Sequence, residues 1–292
     1  HLQFSGEGFV EVVQQWFHRG VRQRLSSMNT KLVFLFDVFP FHVVVVVRQE
    51  NVRLPVPPRL VQRTGQHEIN LRYAEALEMA DRHVIYKLAA KEIAAQQGAA
   101  LTFMAKWHEV HGGNSMHVHM SLRDPEGGSL FSGDEDLVPG TPVRCSKTFR
   151  HAVGGLLAHS RELSLLYAPN VNSYKRYRDG TFAPTRIAWS YDNRTSGYRV
   201  VGHGSSLRVE CRIPGGDANP YLVYAGMIAA AVDGIERQLD PGPLFEGDAY
   251  AADDLPRVPG SLNEAIEIFD SSDFLREALT SEVVEHLVHF GR

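Results

Sequence analysis

A chain of 292 residues with 43% hydrophobic and 22% charged side chains is long enough to bury a core without disulfide or metal staples, and its composition excludes a disordered, collagenous or low-complexity scaffold. Thirty Lys and Arg against 34 Asp and Glu give a net charge of -4, which excludes the basic excess that grips a nucleic-acid backbone without sequence preference. Cys145 and Cys211 form no CxxC pattern, so a reducing compartment, the cytoplasm, is expected.

Residues 1–64 show few coherent caps or periods, and a boundary is expected near Gly65, with 1–64 an atypical, partly β segment and 65–292 the main domain. Within the first part, Lys31 to Phe36 and Val43 to Val47 have the β-propensity of strands; the five valines suit a strand buried on both faces or an aggregation-prone edge. The apolar stretch around them is interrupted by Asp37, Pro40 and His42 and falls short of the roughly 20 clean residues of a membrane helix. No signal peptide is legible, and the opening His1 reads as the start of a fragment. Arg53 to Arg59, with three prolines, reads as a linker.

Arg72 to Gln97 is predicted as a long helix, with Tyr73, Leu77, Ala80, Val84 and Leu88 as its apolar face, a Glu78–Arg82 pair and a stop at Gly98. Ala100 to Trp107 and Met116 to Arg123 read as an antiparallel pair of strands around Gly112 and Gly113. Lys147 to Tyr167 reads as a helix and Ala168 to Pro184 as a long polar loop. Strands are expected at Ile187 to Tyr191, Tyr198 to Val201 and Ser206 to Ile213. Asn219 caps a helix opening at Pro220 and running to Leu239, Ser261 with Glu264 makes a capping box, and Glu282 to Phe290 closes the chain as a helix. Antiparallel strands mixed with long helices indicate an α+β fold.

Two strands divide chemistry from core. A period of two puts His117, His119, Ser121 and Arg123 on one face and Met116, Val118, Met120 and Leu122 on the other. In the same way Arg208, Glu210 and Arg212 oppose Leu207, Val209, Cys211 and Ile213. Taken alone, an H-x-H pair reads as a solvated strand face and R-x-E-x-R as a surface salt-bridge ladder. Their company changes that: Glu68 in GQHE, Lys175 and Arg176 in NSYKR, and Arg194 and Arg199 in DNRTSGYR. Gathered on one sheet face, these oxygen and nitrogen donors suit Mg²⁺ or Mn²⁺ and the arginines suit phosphate and carboxylate, so phosphoryl chemistry is expected.

The motifs GQHEI (65–69), MHVHMSL (116–122), NSYKR (172–176), DNRTSGYR (192–199), RVECR (208–212) and NPYL (219–222), in this order, resemble the catalytic domain of glutamine synthetase over about Gly65 to Arg292. INLRYAEALEMADRHVIYK and GTFAP resemble the γ-glutamyl-amine ligases of that family more than the housekeeping enzyme. The resemblance implies a curved, mostly antiparallel sheet with long helices packed on it. It also implies ATP-dependent ligation of glutamate to ammonia or another amine through γ-glutamyl phosphate, with Mg²⁺ or Mn²⁺, in rings of identical subunits.

By motif position, Glu68, His117 and Glu210 would be metal ligands, and Gly113, Arg176 and Arg212 would hold glutamate. Tyr73, His119, Ser121, Arg199 and Arg208 would face ATP, with Arg194 and Arg199 at the transferred phosphoryl group. An E-x-E pair of the family falls on Lys31 and Val33, and a further glutamate on Leu60, so only Glu68, His117 and Glu210 remain of six ligands. Phe182 stands where the housekeeping enzyme has a glutamate that closes over the reaction centre, which favours a bulkier amine or no catalysis. By the resemblance, the family's small N-terminal domain and its closing C-terminal segment are expected to be missing from this stretch of sequence, with 65–292 truncated at its C-terminal end. Two further readings stand beside the ligase: a non-catalytic relative that keeps nucleotide or glutamate binding, and an unrelated metal-dependent hydrolase or metal-binding module.

Overall fold

The computed structural model describes residues 42–53, 66–178 and 183–292, with side chains from Ile69 onward. Lys31 to Phe36, residues 54–59 of the expected linker and Phe182 lie outside the described residues; Arg53, the linker's first residue, ends β1. The central sheet has the order β2-β1-β4-β9-β8-β7, built from β1 (His42–Arg53), β2 (Gln66–Asn70), β4 (Ser115–Arg123), β7 (Trp189–Tyr191), β8 (Tyr198–Val201) and β9 (Arg208–Cys211). A two-residue strand, β3 (Ala74–Glu75), also pairs with β1. Every pairing is antiparallel except β7 with β8. A separate ribbon joins β5 (Glu135–Asp136) to β6 (Arg144–Cys145).

The valine run is an inner strand, not an edge: β1 pairs with β4 along its length and with β2 on its other side. This overturns the expected pairing of Ala100 to Trp107 with β4. Residues 100–107 form no strand; Phe103 and Ala105 are buried, and the Ala105 carbonyl accepts from Asn114 N–H at 2.8 Å to close the loop between them. Both edges of β4 are taken by β1 and β9, so no ladder position is left for that segment.

The first helix, α1 (Ala76–Gln96), carries the Glu78–Arg82 pair at 2.5 Å and stops at Gly98, whose φ of +68° a side chain would resist. Its buried face is Ala76, Met79, Ala80 and His83, whereas Tyr73, Val84 and Leu88 are exposed. Ala80 of the expected apolar face is thus buried, while Tyr73, Val84 and Leu88 are corrected to the exposed side. The predicted Lys147–Tyr167 helix divides into α2 (Lys147–Ala158) and α3 (Ser164–Tyr167), and a short α4 (Val171–Tyr174) interrupts the long polar loop.

Helix α5 (Pro220–Glu236) opens with Asn219 Oδ1 accepting from Tyr221 N–H at 3.0 Å and Pro220 in the first turn. Asn219→Ala is expected to cost about 1 kcal/mol, read as a lower urea midpoint at unchanged slope; an unchanged midpoint would remove the cap from the account. Three helices follow: α6 (Leu262–Asp270), α7 (Asp273–Leu279) and α8 (Ser281–Gly291). Ser261 caps α6 through Glu264 N–H, but Glu264 reaches Gly260 N–H instead of Ser261, so the expected reciprocal box is only half made.

Met116, Val118, Met120 and Leu122 of β4 join Val209 and Cys211 of β9 in one core with Phe149, Val153 and Leu156 of α2 and Val223 and Met227 of α5. The opposite face of β4, β9 and β8 is thereby left to polar residues. Among the described residues, no helix is long and apolar enough to cross a membrane.

Candidate active site

The register of three strands builds the site. His119 of β4 stands opposite Glu210 of β9, and Glu210 stands opposite Arg199 of β8, so imidazole, carboxylate and guanidinium form one row across the sheet. Alternation along β4 and β9 adds His117 and Arg212 beside them. Glu210 is fully buried. Its Oε1 meets Arg212 Nη1 at 2.8 Å, His117 Nδ1 at 3.3 Å and His119 Nε2 at 3.6 Å, and its Oε2 accepts from Arg199 Nη1 at 3.0 Å.

Burial alone would raise the Glu210 carboxyl, but the hydrogen bond from His117 and the charge of Arg212 outweigh it and hold the group well below the ordinary carboxylate range. Arg199 is tied on its other side to Asp192, with Nε at 3.1 Å from Oδ1. Arg208 Nε donates to His119 Nδ1 at 3.2 Å, which fixes that ring nitrogen as the acceptor and leaves Nε2 toward Glu210.

Over this row opens a cleft of about 280 Å³ lined by His119, Tyr191, Asp192, Arg194, Arg199 and Arg208, among others. Three guanidinium groups around one small cavity suit an anion with several oxygens. The cleft thus gathers His119, Arg194, Arg199 and Arg208 of the expected residues, and His117, Glu210 and Arg212 lie buried beneath it.

The remaining expectations fall elsewhere. Arg176 is only 1% exposed; its Nη1 donates to Ser115 Oγ at 2.9 Å and its Nη2 to the Ile213 carbonyl, so its fork is turned inward. Gly113 packs on the stem of Arg176, where an added Cβ would come within 2.8 Å of Cγ. Tyr73 lies in a separate cleft of about 390 Å³ with Arg72, Glu75, Glu78, Arg82 and Arg123. Ser121 is buried on the same face of β4 but does not line the arginine cleft. Glu68 falls on β2, with its side chain outside the description. Sequence reasoning passed over Asp192, the acceptor that orients Arg199, although it opens the DNRTSGYR motif. It also passed over Glu50, which the β1–β4 register sets opposite Ser115, two positions from His117.

Among the described residues, no three His, Cys, Asp or Glu side chains are disposed to hold a metal ion. His117 and Glu210 supply two donors, but both Glu210 oxygens already face guanidinium groups. The described donors therefore do not by themselves fit a metal centre.

Residues 60–292 match the family model for the catalytic domain of glutamine synthetase. The chain is 49% identical over 228 residues to a gamma-glutamylethanolamide synthetase of Streptomyces coelicolor, covering 78% of this chain and 47% of the relative. It is 42% identical over 225 residues to a glutamate–isopropylamine ligase of a Pseudomonas species, covering 76% and 48%. The chain thus spans about half the length of these curated relatives. Its fold is similar to that of a GmaS–ADP complex, with a TM-score of 0.80 at 26% identity, covering 96% of this chain and 72% of that one. With a catalytic-domain match over most of its length and the ordered polar face that match leads one to expect, the chain belongs to the glutamine synthetase family.

Proposed function

We propose that this chain carries the reaction centre of an ATP-dependent ligase that joins the side-chain carboxylate of glutamate to an amine other than, or besides, ammonia. The observation that carries the reading is the cleft in which Arg194, Arg199 and Arg208 surround a volume large enough for a polyphosphate end, above a buried carboxylate that fixes Arg199. Two similar proteins, one named for an ethanolamide product and the other for isopropylamine as the amine it joins to glutamate, favour an amine with a carbon tail.

In the first step a γ-carboxylate oxygen of glutamate attacks the terminal phosphorus of ATP and ADP departs. In the second the amine nitrogen attacks the acyl carbon, phosphate leaves with the C–O electron pair, and the nitrogen loses a proton. Negative charge grows on the phosphoryl oxygens during transfer, and arginines already held by Asp192, Glu210 and His119 meet it without reorganising. A divalent ion, where one is bound, would shield the phosphate oxygens from the incoming carboxylate. Metal ligation by Glu68, His117 and Glu210, glutamate binding by Gly113, Arg176 and Arg212, and ATP contacts from Tyr73 and Ser121 belong to the same proposal, as do a cytoplasmic location and assembly with identical subunits.

A second reading has its own support. With both oxygens of Glu210 engaged by arginines, the chain is also suited to bind nucleotide without turnover. Phosphate release with ATP, glutamate and either Mg²⁺ or Mn²⁺ decides between them, assayed with ammonia, ethanolamine and isopropylamine. Release that requires both glutamate and an amine is expected. ATP binding without release would leave the second reading standing, and release indifferent to glutamate would overturn both.

A further inference from the structure

Away from the cleft, one imidazole is held in an arrangement that the ligase chemistry does not use. His159 follows α2 and is 6% exposed. Its Nδ1 lies 2.5 Å from Glu162 Oε2 and its Nε2 lies 2.8 Å from Asp233 Oδ2 of α5. An ionised carboxylate only accepts hydrogen bonds, so a ring with a carboxylate on each nitrogen must carry a proton on both. The Phe274 ring of α7 stacks on the imidazole, with centroids 3.6 Å apart and planes 16° apart. On the same helix, Ser272 donates to Glu162 Oε1 and caps α7 through Leu275 N–H at 3.0 Å.

We propose that His159 is an imidazolium clasp that docks α7, and with it the C-terminal helices, onto α2 and α5, and that it releases them under alkaline conditions. The charged groups that face it are Glu162 from the turn after α2 and Asp233 from α5, the latter also bound by Arg237 at 3.1 Å; α7 offers Ser272 and Phe274, which do not titrate in this range. When the ring loses a proton, one nitrogen presents a lone pair to a carboxylate. A hydrogen bond becomes a repulsion that the imidazole, its side chain 7% exposed, cannot relieve by turning to water.

The direction of titration agrees with the geometry. Burial lowers the His159 value, but the hydrogen bonds and charges of Glu162 and Asp233 more than offset it, and the ring titrates above its ordinary value of 6.5. A histidine raised in the folded state contributes stability that is complete below its unfolded value and is lost as pH rises through the folded one. The loss therefore belongs on the alkaline side of 6.5.

Hydrogen exchange of peptides covering 272–280, normalised to the intrinsic rate at each pH, tests this from about pH 6 to about pH 10 on the full chain. The wild-type protein is expected to lose about tenfold or more of its protection across that range, while peptides from α1 do not change. His159→Gln, which keeps one hydrogen bond but cannot titrate, is expected to show a pH-independent, lower protection of α7. A flat wild-type profile, or an alkaline transition that survives in His159→Gln, would overturn the clasp. If His159→Gln does not fold, Phe274→Leu serves: it keeps the titrating ring, and its transition should move to lower pH as the clasp loosens. An unmoved transition in that variant counts against the proposal.

Discussion

Glu210→Gln is expected to cost about 3–5 kcal/mol of stability and to abolish nucleotide binding at the arginine cleft. The carboxamide keeps the shape of the side chain but removes, among the described residues, the one anion on Arg212 and one of the two on Arg199, whose side chains are 5% and 11% exposed. A buried guanidinium without its counter-charge is costly because water cannot replace the lost partner. Urea unfolding reads the stability and calorimetric titration with ATP reads the binding; an unchanged midpoint with unchanged binding would sink the row.

The pH dependence gives a second check on the same residue. A carboxylate held below its ordinary value of 4.5 contributes stability that is present above that value and is lost as pH falls toward the folded one. Wild-type stability should therefore fall steeply on the acid side of 4.5, and Glu210→Gln should show a shallower decline. By the same reasoning Glu210→Ala should eliminate any Mn²⁺-dependent ATP binding, since it removes a carboxylate from a site already poor in donors. Persistence of that binding would move the metal assignment to other residues.

The faces of β4 and β9 were legible because a strand alternates sides with a period of two, and the polar residues at 117, 119, 208, 210 and 212 obey it without exception. What no single strand states is register. That His119, Glu210 and Arg199 share one row follows only from how three strands slide against one another. The same limit explains the strand wrongly expected at 100–107. Its β-propensity and the glycines after it described a plausible hairpin, but the ladder positions beside β4 went to a more distant competitor, β1, with its unbroken valines.

Apolar periodicity was also an incomplete guide for α1, since Val84, Ile85 and Leu88 are exposed whereas Ala76, Met79 and Ala80 are buried. The inward turn of Arg176 was hidden for a different reason. A motif identifies an arginine but not its partners, and here Ser115 and the Ile213 carbonyl, 61 and 37 positions away, take its fork.

Gly155→Ala should destabilise the chain by about 1–3 kcal/mol, although alanine is the better helix former by about 0.5–1 kcal/mol. A Cβ at 155 would overlap the Ala230 carbonyl oxygen of α5 and come within 2.8 Å of Gly234 Cα; reciprocally, one at 234 would overlap the His151 carbonyl oxygen and lie 2.5 Å from Gly155 N. The obstacles are backbone atoms, which cannot rotate aside, so the two helices must part. On the same helix, the Phe149 ring lies 6.5 Å from that of Trp189 on β7, three residues before Asp192. Thermal unfolding reads the loss directly. Because both glycines serve one contact, the double variant Gly155→Ala/Gly234→Ala should lose less than the sum of the single losses, the helices having already separated. Strict additivity, or a gain in stability from Gly155→Ala, would mean that helix propensity outweighs the crossing and that α2 and α5 do not meet backbone to backbone.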